Sequence, residues 1–333
     1  MWDELSQRLE RVLRIHDDIL QIEKHEIGSI NYELERLRLK ERGLQLKEVT
    51  DPASYEAINQ RRKELDADYE GLQQRLLDLY TEINRDSLTA EVAGGKVVEV
   101  QLAKIVRIFR PNAMGLGQKT AHYAAKLWEF VSDDPREANT EGGIFPAIFG
   151  TVMMVLLMSL LVTPFGVIAA VYLREYAKQG FVTRLIRIAV NNLAGVPSIV
   201  YGVFGLGFFV YFLGGNIDEL FFQAAKPAPT FGTPGLMWAS LTLALLTVPV
   251  VIVATEEGLS RIPRAVREGS LALGATKFET LMKVVLPMAS PAMMTGVILA
   301  IARAAGEVAP LMLVGVVKLA PSLPLDGNYP FIH

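Results

Sequence analysis

Four charge-free apolar runs constrain this chain more than any other feature. They cover residues 142–173, 188–217, 227–255 and 284–302. A helix needs about 20 apolar residues to cross ~30 Å of hydrocarbon, and in lipid its backbone polar groups must be satisfied within the segment. The first three runs exceed that length. The fourth reaches it, with Pro287 and Pro291 at its start. One such run fits a soluble core, but four in succession predict a membrane-embedded helical bundle. The spans are expected near 147–172, 188–213, 235–256 and 284–305. A fifth apolar piece, 308–317, is too short to cross and reads as re-entrant or interfacial. Pro164, Gly166, Gly195, Pro197, Gly202, Gly205, Gly207 and Pro249 interrupt these runs. They read either as close helix packing or as broken helices lining a pathway.

Loop charge sets the orientation. Arg174, Lys178, Arg184 and Arg187 lie in the 173–187 loop, and Arg261, Arg264, Arg267, Lys277 and Lys283 in the 257–283 loop. The 214–234 loop holds only Lys226 against Asp218 and Glu219. The first two loops are therefore expected on the cytoplasmic side and the third outside. This arrangement puts residues 1–146 outside, yet nothing in them is apolar enough to carry them across. The expectation is a chain lacking at least one span upstream and one downstream, with 321–333 as a truncated polar tail.

The first 146 residues hold 48 of the 69 charged residues and read as a water-soluble part. Leu5, Leu9, Val12, Leu13, Leu20, Ile27, Ile30, Leu34 and Leu37 recur at helical spacing. Helices are expected over 3–49 and 53–85, separated by Thr50-Asp51-Pro52, where Asp51 suits an N-cap and Pro52 the first helical position. They form an antiparallel hairpin of coiled-coil type over residues 1–86. In the 87–141 region, residues 87–110 read as a β-hairpin around Gly94-Gly95, 121–131 as a short helix and 132–142 as a polar linker. The region reads as a solvated brace or a docking platform.

Several chemistries are excluded. The chain has no cysteine, which removes disulfides, thiolate metal sites and cysteine nucleophiles. His16, His25, His122 and His333 lack ligand spacing, and no Ser/His/Asp or paired-carboxylate set stands out. No basic tract is interleaved with aromatics, so nucleic acid is not an expected partner. GLGQKT at 115–120 looks faintly like a phosphate loop, but Gln118 interrupts it and no strand precedes it. The chain is expected to be no enzyme and to bind no cofactor. Any ATPase is a separate subunit.

The polar stretch 256–287 carries the strongest motif. Glu268-Gly269-Ser270, Gly274, Val284 and Leu286-Pro287 follow one another at the spacing of the EAA loop of ABC-importer permeases, EAA-x3-G-x9-I-x-LP. Gly269-Ser270 replaces Ala-Ala, and Val284 replaces Ile. Arg303 and Glu307 lie four apart, a spacing that puts them on one helix face, at the end of an otherwise charge-free run. Each would cost roughly 2.5–3.5 kcal/mol at mid-bilayer, and much less when paired or facing a wet cavity. They read as a snorkelling pair or as a pathway site in which the arginine fork meets an oxyanion.

With these segments in place, the sequence is similar to the PstA family, the permease subunits of phosphate ABC transporters. NNLAGVPSIVYGVFGLGFFV (191–210), VPVVIVATEEGLSRIP (248–263), LALGATKFETLMKVVLP (271–287) and TGVILAIARAAGEVAPLML (295–313) carry the resemblance, which covers about 142–320. It implies an all-α polytopic membrane protein with the ABC importer type I permease fold, preceded here by the helical-hairpin and β-hairpin region. It implies a PstC-like permease partner, a PstB-like ATPase dimer, a PstS-like periplasmic phosphate-binding protein and a place in the cell inner membrane. Glu268, Gly269, Ser270, Gly274, Leu286 and Pro287 would form the ATPase-coupling loop, and Arg303 and Glu307 would contact phosphate. Val253 and Ala254 stand where members often carry an arginine. Two readings compete: a permease for molybdate or sulfate, and a non-transporting scaffold or sensor anchored by the bundle.

Overall fold

The computed structural model describes residues 2–49, 51–92, 94–133, 135–136 and 141–315. The polar tail at 321–333, with His333, lies outside them, as does part of the 132–142 linker. The chain divides into two units, Met1–Trp128 and Glu129–His333.

In the first unit, α1 (Trp2–Gln21) passes through a π-helical turn at Ile22–Glu26 into α2 (Ile27–Leu46). Asp51 then caps α3 (Pro52–Ile83) by accepting from the Ala53 N–H at 3.3 Å. α3 runs back along both preceding helices. The buried stripe differs from the leucine pattern read above. It follows Leu9, Val12, Ile15, Ile19 and Ile22, while Leu13 and Leu20 sit at its edge. The π turn adds a residue to one turn and lets Ile30 rejoin the stripe. Leu102 and Ile83 close the end of this core. Strands β1 (Ser87–Glu91) and β2 (Val97–Gln101) pair antiparallel, with Ser87 opposite Gln101. The chain then leaves the ladder, so residues 102–110 are not strand. Residues 115–120 open helix α4 (Leu116–Ser132), and no strand runs into them.

The second unit opens with a two-residue ladder, β3 (Pro135–Arg136) against β4 (Glu141–Gly142). Among the described residues four helices are long and apolar enough to cross a membrane: Phe145–Tyr176, Ser198–Phe221, Leu236–Ser260 and Lys277–Ala305. The first comprises α5 (Phe145–Val171) and a π turn at Tyr172–Tyr176. The third is α9 (Leu236–Ser260), the most enclosed of the four. It packs along α5 and along α12 (Leu286–Ala305). Met158, Val162, Leu243, Leu246, Val251 and Ala300 form the core between them. Gly296 lets α12 approach α9 closely, because a Cβ there would stand 2.6 Å from the Ala254 Cβ. Small residues at such crossings are how helices gain contact in lipid.

The second span is not the continuous 188–213 helix expected above. α6 (Phe181–Ala194) stops before Gly195-Val196-Pro197, and α7 (Ser198–Phe204) starts afresh. Pro197 has no N–H to continue the ladder and disfavours the helical conformation at Val196. The Leu193 carbonyl, which Pro197 cannot reach, accepts from the Val196 N–H at 3.2 Å and from the Tyr201 hydroxyl at 2.6 Å. From α7 the helix continues through a π segment, Gly205–Gly214, into α8 (Gly215–Phe221). The apolar crossing is therefore 198–221, and it takes in the start of the polar loop expected at 214–234. The rest of that loop folds on Asp218, whose buried carboxylate accepts from the N–H groups of Phe231 and Gly232.

Candidate functional site

The polar stretch after α9 folds as helix, turn and helix. α10 (Arg264–Ala272) has Pro263 as its N-cap, whose carbonyl accepts from the Val266 N–H at 3.2 Å. It ends in a Schellman arrangement: the Gly274 N–H donates to the Leu271 carbonyl at 3.0 Å, and the Ala275 N–H to the Ser270 carbonyl at 3.3 Å. Gly274 takes φ +89°, a backbone conformation that a side chain resists. This is the physical reason for a glycine at that motif position. Thr276 and Glu279 then cap α11 (Lys277–Thr280) reciprocally, each side chain bonding the other's backbone N–H. The Ser270 and Thr280 hydroxyls share a hydrogen bond at 2.9 Å, which ties the two helices together.

The motif residues separate into two groups. Glu268 and Gly269 are exposed on α10, beside Leu271. Leu273 is 91 % exposed at the turn and Phe278 64 % exposed just after it, so the tip presents large apolar side chains to its surroundings. Leu286 instead packs inward with Leu259, Ile262, Val266 and Val285. Pro287 is exposed at the start of α12. It cannot donate to the carbonyl four residues back, and the helix widens to a π turn at Leu281–Val285 just before it. α11, this π turn and α12 form one rod, so the fourth crossing begins at Lys277 rather than near 284.

The loop is moored by residues that sequence reasoning treated only as topological charge. Arg267, next to Glu268, donates to the Ile262 and Leu259 carbonyls at 2.8 Å each and to Glu175 at 2.9 Å. Both partners of this ion pair are largely buried. Lys277 donates to the Glu175 backbone carbonyl at 2.6 Å and lies over the Tyr176 ring at 4.5 Å. Arg187 pairs with Glu256 at 3.0 Å and also reaches Gln179 and the Leu173 carbonyl. The two basic loops at 173–187 and 257–283 are thus one connected surface. Their shared excess of cations was a sequence signal for a shared face, but it did not give the pairing.

At the other end of α12, Arg303 and Glu307 lie 3.6 Å apart, with both side chains partly buried. They do not share one helix, as spacing alone suggested. α12 ends at Ala305, and Gly306 and Glu307 turn back onto the last carbonyls. A short helix, α13 (Ala309–Val314), follows, and residues 316–317 of the fifth apolar piece lie outside the described residues. α13 packs on α7, where a Cβ on Gly202 would stand 2.8 Å from the Pro310 Cα. The structure therefore joins the GVPSIVYG and ARAAGEVAP segments. Tyr201 packs in one core cluster with Ala300 and Ala304, so Arg303, Glu307, Tyr201 and Gly202 belong to one locality.

Residues 162–332 match the family described as binding-protein-dependent transport system inner membrane component. A probable ABC transporter permease protein, YqgH, of Bacillus subtilis is 30 % identical over 194 residues, covering 58 % of this chain and 59 % of YqgH. The phosphate transport system permease protein PstA of Mycobacterium leprae is 38 % identical over 188 residues, 56 % of each chain. A probable PstA of Methanocaldococcus jannaschii is 32 % identical over 189 residues, 56 % of this chain and 60 % of the relative. The chain spans between half and three-fifths of the length of the curated relatives it matches.

Proposed function

This chain belongs to the binding-protein-dependent transport system inner membrane components, and from that premise we propose that it is the permease subunit of an ATP-driven phosphate importer. One observation carries the reading. α12 joins the exposed helix–turn–helix at one end to the Arg303–Glu307 pair at the other. At 1.5 Å per residue its 20 residues make a rod of about 30 Å, the thickness of the hydrocarbon.

Glu268, Gly269, Ser270 and Gly274 shape a docking element for a separate ATPase dimer. The exposed Leu273 and Phe278 give it an apolar contact, and Leu286 and Pro287 root it in the span. Closure of the ATPase dimer pushes on α10. Because α10 is tied to α11 through Ser270 and Thr280, the push reaches α12 as a rigid displacement. Arg303 offers a permanently charged planar fork to a tetrahedral oxyanion arriving from a binding protein. Glu307 holds that fork until the anion competes for it. A second permease subunit completes the pathway, and the assembly sits in the cytoplasmic membrane with residues 1–146 on its outer side. Phosphate is favoured over molybdate or sulfate because the two relatives above that are named for a substrate are named for phosphate.

Phosphate uptake tests the reading in cells lacking their own permease, complemented with the full-length gene as wild type or Arg303→Gln. Uptake by wild type, lost in the variant at unchanged membrane abundance, is the expected result. Uptake of another oxyanion in place of phosphate would overturn the substrate. Wild-type uptake by Arg303→Gln would overturn the role of the arginine.

A further inference from the structure

Helix α4 has a two-sided sequence and no buried side chain. Advancing 100° per residue, Leu116, Tyr123, Leu127, Phe130 and Val131 fall on one face, with Trp128 at its edge. Gln118, His122, Ala125, Lys126 and Glu129 fall on the other. The apolar face is bare: Leu116 is 86 % exposed, Tyr123 78 %, Trp128 72 % and Leu127 68 %. A contiguous apolar patch of this kind marks a surface that something covers.

What covers it follows from where the helix ends. The Ile144 N–H donates to the Phe130 carbonyl at 2.8 Å, and the Phe145 N–H to the Asp133 carbonyl at 3.3 Å. Phe145 is the first residue of the first candidate membrane span. The last turn of α4 is therefore fastened by two backbone hydrogen bonds to the point where the chain enters the bilayer. Tyr and Trp favour the membrane–water boundary, where the ring body is dry and the polar edge is wet. Lys119 is exposed and flanks the apolar face beside Phe130, a place from which a lysine can lay its stem along apolar surface and hold its ammonium in water.

We propose that α4 lies in the membrane surface. Its apolar face is buried ~5–10 Å into the headgroup–acyl boundary of the leaflet at which α5 begins. The partner is the phospholipid bilayer itself, and α4 fixes the depth and angle at which the first span enters. This inference needs only that α5 crosses the membrane, so it stands or falls apart from the transported substrate.

Because the chain has no cysteine, single labels test it directly. Nitroxides are placed at Tyr123→Cys, Leu127→Cys and Ala125→Cys in the full-length protein. The protein is reconstituted in phosphatidylcholine–phosphatidylglycerol vesicles and probed with oxygen, which enters lipid, and with a water-soluble nickel chelate. Labels at 123 and 127 are expected to favour oxygen over the chelate, and the label at 125 the reverse. High chelate contact at 123 and 127 would place that face in water. Low contact with both probes there would mean a protein surface covers it. Either result overturns the proposal.

Discussion

Gly202 and Pro310 meet backbone to backbone: a Cβ on Gly202 would stand 2.8 Å from the Pro310 Cα and 3.2 Å from the Leu313 Cδ1. The contact joins the helix that restarts after Pro197 to the short helix beyond Glu307. Neither backbone can rotate aside as a side-chain tip could. Gly202→Ala is therefore expected to destabilise the protein by about 1–3 kcal/mol, the usual range for overpacking. It should also push the 307–310 segment away from Arg303. Thermal unfolding of the purified protein in detergent reads the first effect, and uptake the second. An unchanged melting temperature would show that the close approach is not maintained.

Gly269 stands where the motif has its first alanine and Gly274 where it has its glycine, and the structure separates them. Gly274 needs φ +89°, and Gly269 has open space around the position of a Cβ. Gly274→Ala is expected to cost roughly 1–2 kcal/mol for left-handed backbone. Gly269→Ala, in the body of α10, is expected to gain roughly 0.5–1 kcal/mol of helix stability. The opposite signs are the content of the prediction. Two melts that shift in the same direction would contradict the turn described here.

Much of this architecture was legible in the residues. The four apolar runs follow from a bilayer's demand for length and self-satisfied backbone, a demand local enough to read from one sequence. Asp51-Pro52 and Gly274 were legible because caps and left-handed turns depend on a few adjacent residues. The break at Pro197 was harder. Proline is tolerated inside spans when neighbours take the freed carbonyl, and here the Tyr201 hydroxyl and the Val196 N–H do so. The mooring of the 257–283 loop was hidden for a different reason. Arg267 meets Glu175 across 92 positions, and a single chain gives no sign of which distant carboxylate an arginine will find. The end of α12 between Arg303 and Glu307 was hidden too. A spacing of four describes a helix only while the helix lasts.

Asp51 provides a pH test in the N-terminal unit. Its carboxylate accepts from the Ser54 hydroxyl at 2.7 Å and from the Ala53 N–H, and these bonds hold its pKa below the ordinary carboxylate value. A depressed folded-state pKa means that the cap's contribution is present above the ordinary value of ~3.9 and is lost as pH falls through the folded one. Amide exchange at Ala53 and Ser54, compared with mid-α3 amides at the same pH, should therefore rise as the solution is acidified below ~4. Asp51→Asn should flatten that dependence. An identical pH profile in the variant would assign the fraying to other groups.

Arg267 and Glu175 yield the most direct test of how the loop is held. Arg267 uses one guanidinium nitrogen for both Glu175 and the Leu259 carbonyl, and the other for the Ile262 carbonyl. A lysine cannot span three acceptors in fixed directions, so Arg267→Lys keeps the charge and loses the geometry. Each hydrogen bond to a charged group is worth about 1.5–3 kcal/mol. Arg267→Lys is therefore expected to lower the melting temperature and loosen α10, with reduced retention of the ATPase subunit during purification. Glu175→Gln keeps an acceptor oxygen and removes the charge, so a smaller loss is expected. In a double-mutant cycle the two changes should be non-additive by roughly 0.5–3 kcal/mol, as contacting residues are. Strict additivity in both stability and ATPase retention would mean that the pair does not fasten the loop, and the path from α10 to α12 would then rest on Ser270 and Thr280 alone.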